Sequence, residues 1–259
     1  MSGSIQVVGI GPGDLAHLTP AARHTLEDVD VIVGYITYLR LIADIAPDTP
    51  RESGGMRQEV KRVKQAVELA QNGQRVAVIS SGDAGVYGMA GLVYEVLKEQ
   101  AINDIEVTVV PGITALSSAA ALLGAPLMTD FAVISLSDQL TPRQDVLRRV
   151  ELATAADLVL CLYNPKGKQR TKPFTLTCEI IAQHRAPSTP VGIVRAASRS
   201  GQRVSLTTLA ALPDTDIDML TIVIVGNSHT MAHNDKMITP RGYGEKYQLG
   251  ETHDTRTDN

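Results

Sequence analysis

The sequence predicts an α/β protein of two domains, and three of its features carry that prediction. Short β-branched runs alternate with amphipathic helical patterns along the 259 residues. Glycine-rich turns follow several of the predicted strands. Gly124-Ala125-Pro126 has the composition of a hinge, and the alternation begins again after it. We therefore expect an N-terminal α/β domain over 1–123, a C-terminal α/β domain over 124–240, and a ligand cleft between them.

The first domain begins with a strand over 5–10 that leads into Gly11-Pro12-Gly13-Asp14. This spacing differs from a dinucleotide-binding fingerprint, because Pro12 stiffens a turn that would otherwise open a helix. Thr19-Pro20 predicts where the first helix starts, since Thr is a good N-cap and Pro suits the first turn. Further strands are predicted over 29–33, 75–79 and 105–110, helices over 35–42, 57–71 and 87–97, and a loop over 46–56. The small-residue segment 111–118 is predicted to lead into an Ala/Leu-rich helix that ends at Leu123.

The stretch 80–88 is a glycine-rich turn that contains one acid, Asp83. It lies between a predicted strand and a predicted helix, the place where ligands bind in open α/β sheets. Glycine lets a backbone approach a ligand closely, and Asp83 can accept hydrogen bonds or face a cation. An ordinary loop with a helix-capping Asp is the alternative interpretation.

The second domain repeats the alternation and adds two basic loops, over 164–172 and 196–203. Strands are predicted over 131–136, 157–163, 191–195 and 220–225, and helices over 141–152, 175–184 and 206–212. From Arg241 onward the chain is polar and aperiodic, which predicts a disordered tail over 241–259.

Composition excludes several classes of function. A net charge of −4 and the absence of Trp argue against nucleic-acid binding. No apolar run approaches the roughly 20 residues that a membrane helix needs, and the polar start leaves no room for a secretory signal. Cys161 and Cys178 lack metal-site or redox spacing, so we expect buried free thiols, no metal and a cytoplasmic location.

Four segments together resemble the tetrapyrrole (corrin/porphyrin) methylase family. They are Gly11-Pro12-Gly13-Asp14, Ser81-Gly82-Asp83, Pro111-Gly112-Ile113-Thr114-Ala115 and Gly124-Ala125-Pro126. The resemblance implies an S-adenosylmethionine-dependent enzyme that acts on a small-molecule tetrapyrrole. It further implies two α/β domains with the cofactor in the cleft between them, and a homodimer.

Within the family, the segments 53–60, 81–89 and 162–166 resemble members that act in cobalamin (vitamin B12) biosynthesis. Those members methylate C-17 of precorrin-3B and contract the ring to give precorrin-4. A sibling methylase that acts on another precorrin carbon or on the cobalt-containing intermediate is the nearest alternative. A nucleotide-dependent oxidoreductase and a non-catalytic tetrapyrrole carrier are more distant ones.

The resemblance also assigns residues to the cofactor. They are Pro12, Ser81, Gly82, Asp83, Val86, Thr114 and Ala115 from the first domain and Asn164 and Ala197 from the second. Ser81 departs from the Gly that the family often has there, and Asn164 replaces a residue that is often apolar in siblings.

The substrate and the chemistry suggest further candidates. The macrocycle carries many carboxylates, which basic side chains in strand-end loops can pair with; solvated surface charge is the alternative. The candidates are Arg57, Lys166, Lys168, Arg195 and Arg199.

Methyl transfer from a sulfonium needs mainly in-line positioning, without a metal or a covalent intermediate. Ring contraction needs a proton removed from an alcohol, and Asp14, His17 and Glu59 are the candidate groups.

Overall fold

The computed structural model describes residues 3–167 and 169–249, so the predicted substrate contact Lys168 lies outside the described residues. The chain forms two compact units. Unit 1 contains the chain up to Ser118 together with Ala196–Gln202, and unit 2 contains Ala119–Arg195 and the chain from Arg203 onward. The segment Ala196–Gln202 thus packs with the N-terminal residues, although the predicted domains counted it with the C-terminal ones. A domain boundary at residue 124 stays a prediction.

Unit 1 is built on a five-stranded parallel sheet in the order β3-β2-β4-β1-β5. Its elements are β1 (Ser4–Gly9), α1 (Pro20–Asp28), β2 (Val31–Tyr35), α2 (Ile36–Leu41), β3 (Arg51–Gly54), α3 (Glu59–Gln71), β4 (Arg75–Ser80), α4 (Ala90–Glu99), β5 (Glu106–Val110) and the start of α5 (Ala115–Leu123). Because the strands are parallel, the turns that follow β1, β4 and β5 leave the sheet at one edge.

Alternation along the strands divides the core of unit 1 between the two sheet faces. Val7 and Val78 pack in a cluster with residues of α3 and α4. Val8 and Ile79 belong to a second cluster with residues of α1 and α2. The β-branched runs therefore form strands that are covered on both faces, as the sequence predicted.

Two details of unit 1 differ from the predicted elements. Residues 46–56 were predicted as loop, but β3 (Arg51–Gly54) pairs with β2 at the edge of the sheet. Its polar sequence has no apolar run that would reveal a strand. Residues 14–18 were also predicted as loop and contain a 3₁₀ turn, Leu15–His17. The first helix begins where Thr19 predicts, and the Thr19 hydroxyl accepts a hydrogen bond from the amide of Ala22 at 3.1 Å.

Unit 2 is built on a mixed five-stranded sheet in the order β10-β9-β11-β8-β7. Only the β7–β8 pair is parallel within it. The remaining elements are β6 (Gly124–Ala125), β7 (Phe131–Ser135), α6 (Arg143–Ala155), β8 (Val159–Tyr163), α7 (Lys172–Ala182), β9 (Pro190–Arg195), β10 (Arg203–Thr208), a 3₁₀ turn (Leu212–Asp214), β11 (Thr221–Val225), β12 (Met231–His233), β13 (Lys236–Ile238) and α8 (Tyr243–Lys246). The short strands β12, β13 and β6 form a separate small sheet.

Two predictions for unit 2 were wrong. The helix predicted over 206–212 does not form, because its first residues belong to β10, which pairs with β9 along all six of its residues, and the rest are turn up to the 3₁₀ turn at Leu212. This pairing outweighs the local helical pattern, since tertiary context overrides propensity. Tyr243–Lys246 forms a short helix within the predicted disordered tail. Residues 250–259 of that tail lie outside the described residues.

Cys161 and Cys178 are buried free thiols, as predicted. Burial raises the pKa of each thiol to about 12. In the described ranges, no helix combines the length and the apolar character that crossing a membrane requires.

Candidate active site

Three strand ends of unit 1 approach each other more closely than side chains would allow. A Cβ on Gly9 would lie 2.7 Å from the amide nitrogen of Gly112. A Cβ on Gly112 would lie 2.3 Å from the carbonyl oxygen of Gly82. At these distances a Cβ fits only if the neighbouring backbone shifts, so glycine is strongly favoured at these two positions. The turns over residues 11–14, 81–88 and 111–115, here called the glycine turns, therefore form one continuous surface.

A pair of backbone hydrogen bonds joins the first two glycine turns. The amide of Gly82 donates to the carbonyl of Gly11 at 2.7 Å, and the amide of Gly11 donates to the carbonyl of Gly82 at 3.0 Å. Both residues have left-handed backbone angles, with φ of +76° at Gly11 and +70° at Gly82. Glycine adopts this conformation without strain, so glycine at these two positions allows the two turns to form the hydrogen-bonded pair.

Asp83 connects the second glycine turn to the third. Its Oδ1 accepts hydrogen bonds from the amides of Gly85 and Val86, at 2.8 Å and 3.1 Å. Its Oδ2 accepts one from the amide of Gly112 at 2.9 Å. Of the two predicted roles for this carboxylate, accepting hydrogen bonds is the one that the structure displays. Asp83 shapes the ligand surface by holding two turns together.

Small residues and one exposed apolar side chain form the outer part of this surface. A Cβ on Gly82 would point toward the amide of Ala115 at 3.5 Å and the Cα of Thr114 at 3.8 Å. The Thr114 hydroxyl accepts a hydrogen bond from the amide of Ser117 at 3.0 Å and so caps α5. Val86 is 39% exposed. Predicted cofactor residues from all three turns thus lie next to one another.

Arg199 packs against the first two glycine turns. Its Nε donates to the Pro12 carbonyl at 2.6 Å, and its Nη2 donates to the Ser81 hydroxyl at 2.5 Å. The guanidinium lies 6.0 Å from the centre of the Tyr38 ring. A Cβ on Gly13 would lie 2.2 Å from Arg199 Cγ, so glycine is required there for the contact. Burial lowers the pKa of Arg199, and the interaction with Tyr38 opposes that effect.

Ala197, a predicted cofactor contact, lies in the same segment as Arg199 and therefore in unit 1. The segment has left-handed backbone at Ala196, Ser198 and Gly201, with φ between 50° and 81°. Such conformations are costly for residues other than glycine and persist only where the surroundings hold them. The contacts of Arg199 are one such restraint.

Asp14, the last residue of the first glycine turn, forms a hydrogen-bonded pair with His17. The Nδ1 atom of His17 lies 2.5 Å from Asp14 Oδ1, and the same oxygen accepts the His17 amide at 3.0 Å. The side chains are 42% and 44% exposed for His17 and Asp14, respectively. A Cβ on Gly11 would lie 2.6 Å from the His17 carbonyl oxygen, so the backbone of His17 packs directly against this turn. An oriented, accessible imidazole of this kind can exchange protons with a ligand.

Glu59, the third catalytic candidate, is paired differently. Its carboxylate lies 3.4 Å from Nη2 of Arg62, a side chain that is almost fully buried. Arg62 also donates to the carbonyl of Gly55 at 2.6 Å. Nearby, the predicted substrate contact Arg57 is exposed and has a left-handed backbone, with φ of +63°. Glu59 thus compensates a structural arginine, whereas Arg57 presents its side chain to solvent.

Asn164, the cofactor contact predicted in unit 2, also has a left-handed backbone, with φ of +51°. Its Nδ2 donates to the Ser135 hydroxyl at 3.0 Å, and its carbonyl accepts from Arg170 at 2.8 Å. These contacts fix the loop that follows β8. The conformation explains why a residue that tolerates positive φ, rather than a branched apolar one, stands at this position.

Two predicted substrate contacts in unit 2 are engaged with neighbours. The Lys166 ammonium lies 4.6 Å from the centre of the Phe174 ring. Arg195 donates from Nε to Asp218 at 2.9 Å. Among the residues that the structure describes, no group of three or more His, Cys, Asp or Glu side chains is arranged to hold a metal ion.

Comparisons with known proteins identify the family. A family model described as Tetrapyrrole (Corrin/Porphyrin) Methylases matches residues 4–213. A Salmonella typhimurium protein named "Probable cobalt-factor III C(17)-methyltransferase" is 45% identical over 239 residues, which are 92% of this chain and 99% of that protein. This chain belongs to the tetrapyrrole methylase family. The family resemblance of the four sequence segments is thereby confirmed.

Other members of the tetrapyrrole methylase family match as well. A Priestia megaterium protein named "Cobalt-factor III methyltransferase" is 48% identical over 255 residues, which are 97% of this chain and 47% of that protein. The chain thus spans about half the length of that relative. The crystal structure of the methyltransferase CobJ matches with a TM-score of 0.86 and 37% identity, over 92% of this chain and all of that one. The prediction of a two-domain α/β fold is thereby confirmed.

A more distant family member shares the fold. The Thermus thermophilus uroporphyrin-III C-methyl transferase, solved in complex with S-adenyl homocysteine, matches with a TM-score of 0.65 and 22% identity. The match covers 86% of this chain and 97% of that chain.

Several features of the site were missed from the sequence. The close approach of Gly9 and Gly112 was signalled only by glycine at the ends of two strands. The pairing of Arg62 with Glu59 has the i, i+3 spacing of a helical ion pair, a local signal that was overlooked. The contact of Tyr38 with Arg199 had no local signal, because it joins residues far apart in the chain.

Proposed function

We propose that this chain transfers a methyl group from S-adenosylmethionine to C-17 of a precorrin-3-stage macrocycle, with ring contraction, in cobalamin biosynthesis. The observation that carries the proposal is the 45% identity to the Salmonella relative, because it extends over 99% of a protein named for C(17) methylation. Methylation of another precorrin carbon is the sibling alternative. An oxidoreductase and a non-catalytic carrier have less support, because the chain belongs to a methylase family.

The names of the relatives favour a cobalt-containing substrate over metal-free precorrin-3B. Three relatives named for cobalt-factor III are 48%, 45% and 42% identical to this chain. The Mycobacterium bovis relative named cobalamin biosynthesis protein CobIJ, a name that does not mention cobalt-factor III, is less similar, at 37% identity. We therefore place cobalt-factor III first and metal-free precorrin-3B second as the substrate.

The chemistry of the glycine turns fits S-adenosylmethionine. Gly82 and Gly85 carry no side chain that would keep a ligand away from the backbone, and the exposed Val86 offers an apolar surface of the kind that an adenine ring packs on. The residues proposed to hold the cofactor are Pro12, Ser81, Gly82, Val86, Thr114, Ala115, Asn164 and Ala197, with Asp83 acting through the shape of the turns. When bound, the sulfonium supplies an activated methyl group, so the protein's task is alignment.

Asp14 and His17 are the residues proposed to handle the proton of the ring contraction. Asp14 binds the imidazole at Nδ1, which leaves Nε2 as the atom that takes the proton from a substrate alcohol. Glu59 is the weaker candidate, because its charge is paired with the buried Arg62.

Of the proposed substrate contacts that the structure describes, Arg57 has the most accessible side chain. Lys166 and Arg195 already contact Phe174 and Asp218, so a carboxylate of the macrocycle would have to share or replace those contacts. Lys168 stays a proposal from sequence alone. We further propose that the protein is a homodimer and is located in the cytoplasm. Its free buried thiols suit such a reducing compartment.

The experiment that tests the proposed function supplies S-adenosylmethionine labelled with ¹³C in the methyl group. Purified protein receives either cobalt-factor III or precorrin-3B, and product is read by NMR and by mass. The proposal expects label at C-17 of a contracted ring, with the cobalt form converted faster. Label at another carbon would support the sibling alternative, and no transfer to either macrocycle would contradict methylation of this substrate class.

A calorimetric titration provides an independent check on the cofactor. S-adenosylhomocysteine and NAD are titrated in parallel, and we expect binding of the former alone. Binding of NAD alone would favour the oxidoreductase. Binding of neither would favour the carrier.

A further inference from the structure

Arg199 is a half-buried cation whose described partners are all neutral. They are the carbonyl of Pro12 at 2.6 Å, the hydroxyl of Ser81 at 2.5 Å and the ring of Tyr38 at 6.0 Å. Burial raises the pKa of Tyr38, so its hydroxyl stays uncharged at neutral pH. Within the described ranges, no carboxylate lies within 4.0 Å of this guanidinium.

Some other arginines of unit 1 pair with carboxylates, whereas the half-buried Arg51 donates to five backbone carbonyls, more partners than Arg199 has. The buried Arg62 pairs with Glu59, and the exposed Arg75 pairs with Asp28 and Asp30. Burying a charge without a counter-charge is costly, so buried cations are ordinarily paired. Arg199 departs from this rule at the surface of the glycine turns, where a ligand's own charge can supply the missing partner.

The geometry around Arg199 holds the guanidinium in place for an anion. Two of its five N–H donors are occupied by Pro12 and Ser81, and the close fit to Gly13 fixes the stem of the side chain. A planar guanidinium held in this way suits a carboxylate, which can accept two parallel hydrogen bonds from it.

We propose that Arg199 binds a carboxylate of the ligand that occupies the glycine turns, an assignment that rests on the proposed function. Two sources have this chemistry: the amino-acid carboxylate of the cofactor and an acetate or propionate of the macrocycle. The competing explanation is that Arg199 only braces Pro12 and Ser81. A brace would affect every ligand of the turns equally, whereas a carboxylate receptor discriminates between ligands with and without that group.

The test compares S-adenosylhomocysteine with its decarboxylated analogue by calorimetric titration. The proteins are wild type, Arg199→Gln, Arg199→Lys and the control Arg203→Gln, which alters an exposed arginine nearby. If the cofactor is the source, wild type and control prefer the carboxylated ligand by roughly 10- to 100-fold. Arg199→Gln loses that preference, and Arg199→Lys, which keeps the charge, retains part of it. Circular dichroism and thermal unfolding establish that each variant is folded.

A second arm titrates the macrocycle by its own absorbance, without turnover. If the macrocycle is the source, its affinity falls roughly 10-fold or more in Arg199→Gln, while the preference between the two nucleosides is unchanged. Equal weakening of both nucleosides with unchanged macrocycle affinity would overturn the assignment and leave only a brace. Unchanged affinities throughout would overturn it too. Wild-type protein that binds neither nucleosides nor macrocycle would instead contradict the proposed function, and the assignment with it.

Discussion

Replacement of Asp83 tests whether one carboxylate holds two of the glycine turns in place. In Asp83→Ala the amides of Gly85, Val86 and Gly112 all lose their acceptor. A hydrogen bond to a charged group contributes about 1.5–3 kcal/mol. The Gly112 bond is partly buried and the other two are exposed, so the full range applies to Gly112 and the lower end to Gly85 and Val86.

The assay is amide hydrogen exchange resolved by NMR, because it reports each amide separately. Since 1.4 kcal/mol corresponds to a factor of ten, the Gly112 amide should exchange about 10- to 100-fold faster in Asp83→Ala. Asp83→Asn keeps one oxygen acceptor and replaces the other by a donor. It should therefore retain protection either at Gly112 or at Gly85 and Val86, but not at both. Binding of S-adenosylhomocysteine should fall in parallel, as the turns lose their fixed separation.

The control is Asp44→Ala, which removes an exposed acid elsewhere in unit 1 and should leave all three amides unchanged. If the three amides exchange at wild-type rates in Asp83→Ala, the carboxylate does not hold the turns. Loss of ligand binding with unchanged exchange would mean that Asp83 contacts the ligand directly instead.

Three further predictions concern packing, proton transfer and the buried thiols. In urea unfolding, Gly112→Ala should lower the free energy of unfolding by about 1–3 kcal/mol, because the added Cβ overpacks the strand ends. The control Gly91→Ala adds a Cβ in α4 that meets no neighbour and should raise the free energy of unfolding by about 0.5–1 kcal/mol. Equal effects of the two substitutions would contradict the close approach of the strand ends. His17→Gln and Asp14→Asn should leave methyl transfer intact but slow ring contraction roughly 100-fold or more, so a methylated, uncontracted product accumulates; normal contraction would exclude the pair as the proton acceptor. With each thiol pKa raised to about 12 by burial, iodoacetamide at pH 8.5 should leave both cysteines unmodified until the protein unfolds. Because the unfolded thiols lose their protons from about pH 9 upward while the folded ones keep theirs, stability should fall between pH 9 and about 12, and substitution of both cysteines by alanine should flatten that fall.

Much of the fold and part of the site follow from local features of the sequence. Short β-branched runs predicted the main strands, and Thr19-Pro20 predicted the start of α1, because both depend on neighbouring residues alone. The glycine turns were predicted for the same reason, and glycine adopts the left-handed backbone found at Gly11 and Gly82 without strain. Asp14 and His17 are three residues apart, and the sequence predicted both as candidates for proton transfer but not their pairing.

The tertiary structure decided what depends on partners far away in the chain. β10 forms because β9 offers it a strand to pair with, although residues 206–212 have a helical pattern. Asp83 accepts the amide of Gly112 across 29 residues, which gives this predicted cofactor residue a structural contact that the sequence did not predict. Arg199 reaches Pro12 across 187 residues and so belongs with the first glycine turn rather than with the second predicted domain. Local patterns encode backbone conformation, whereas contacts between a charged side chain and residues far away in the sequence are set by the tertiary fold.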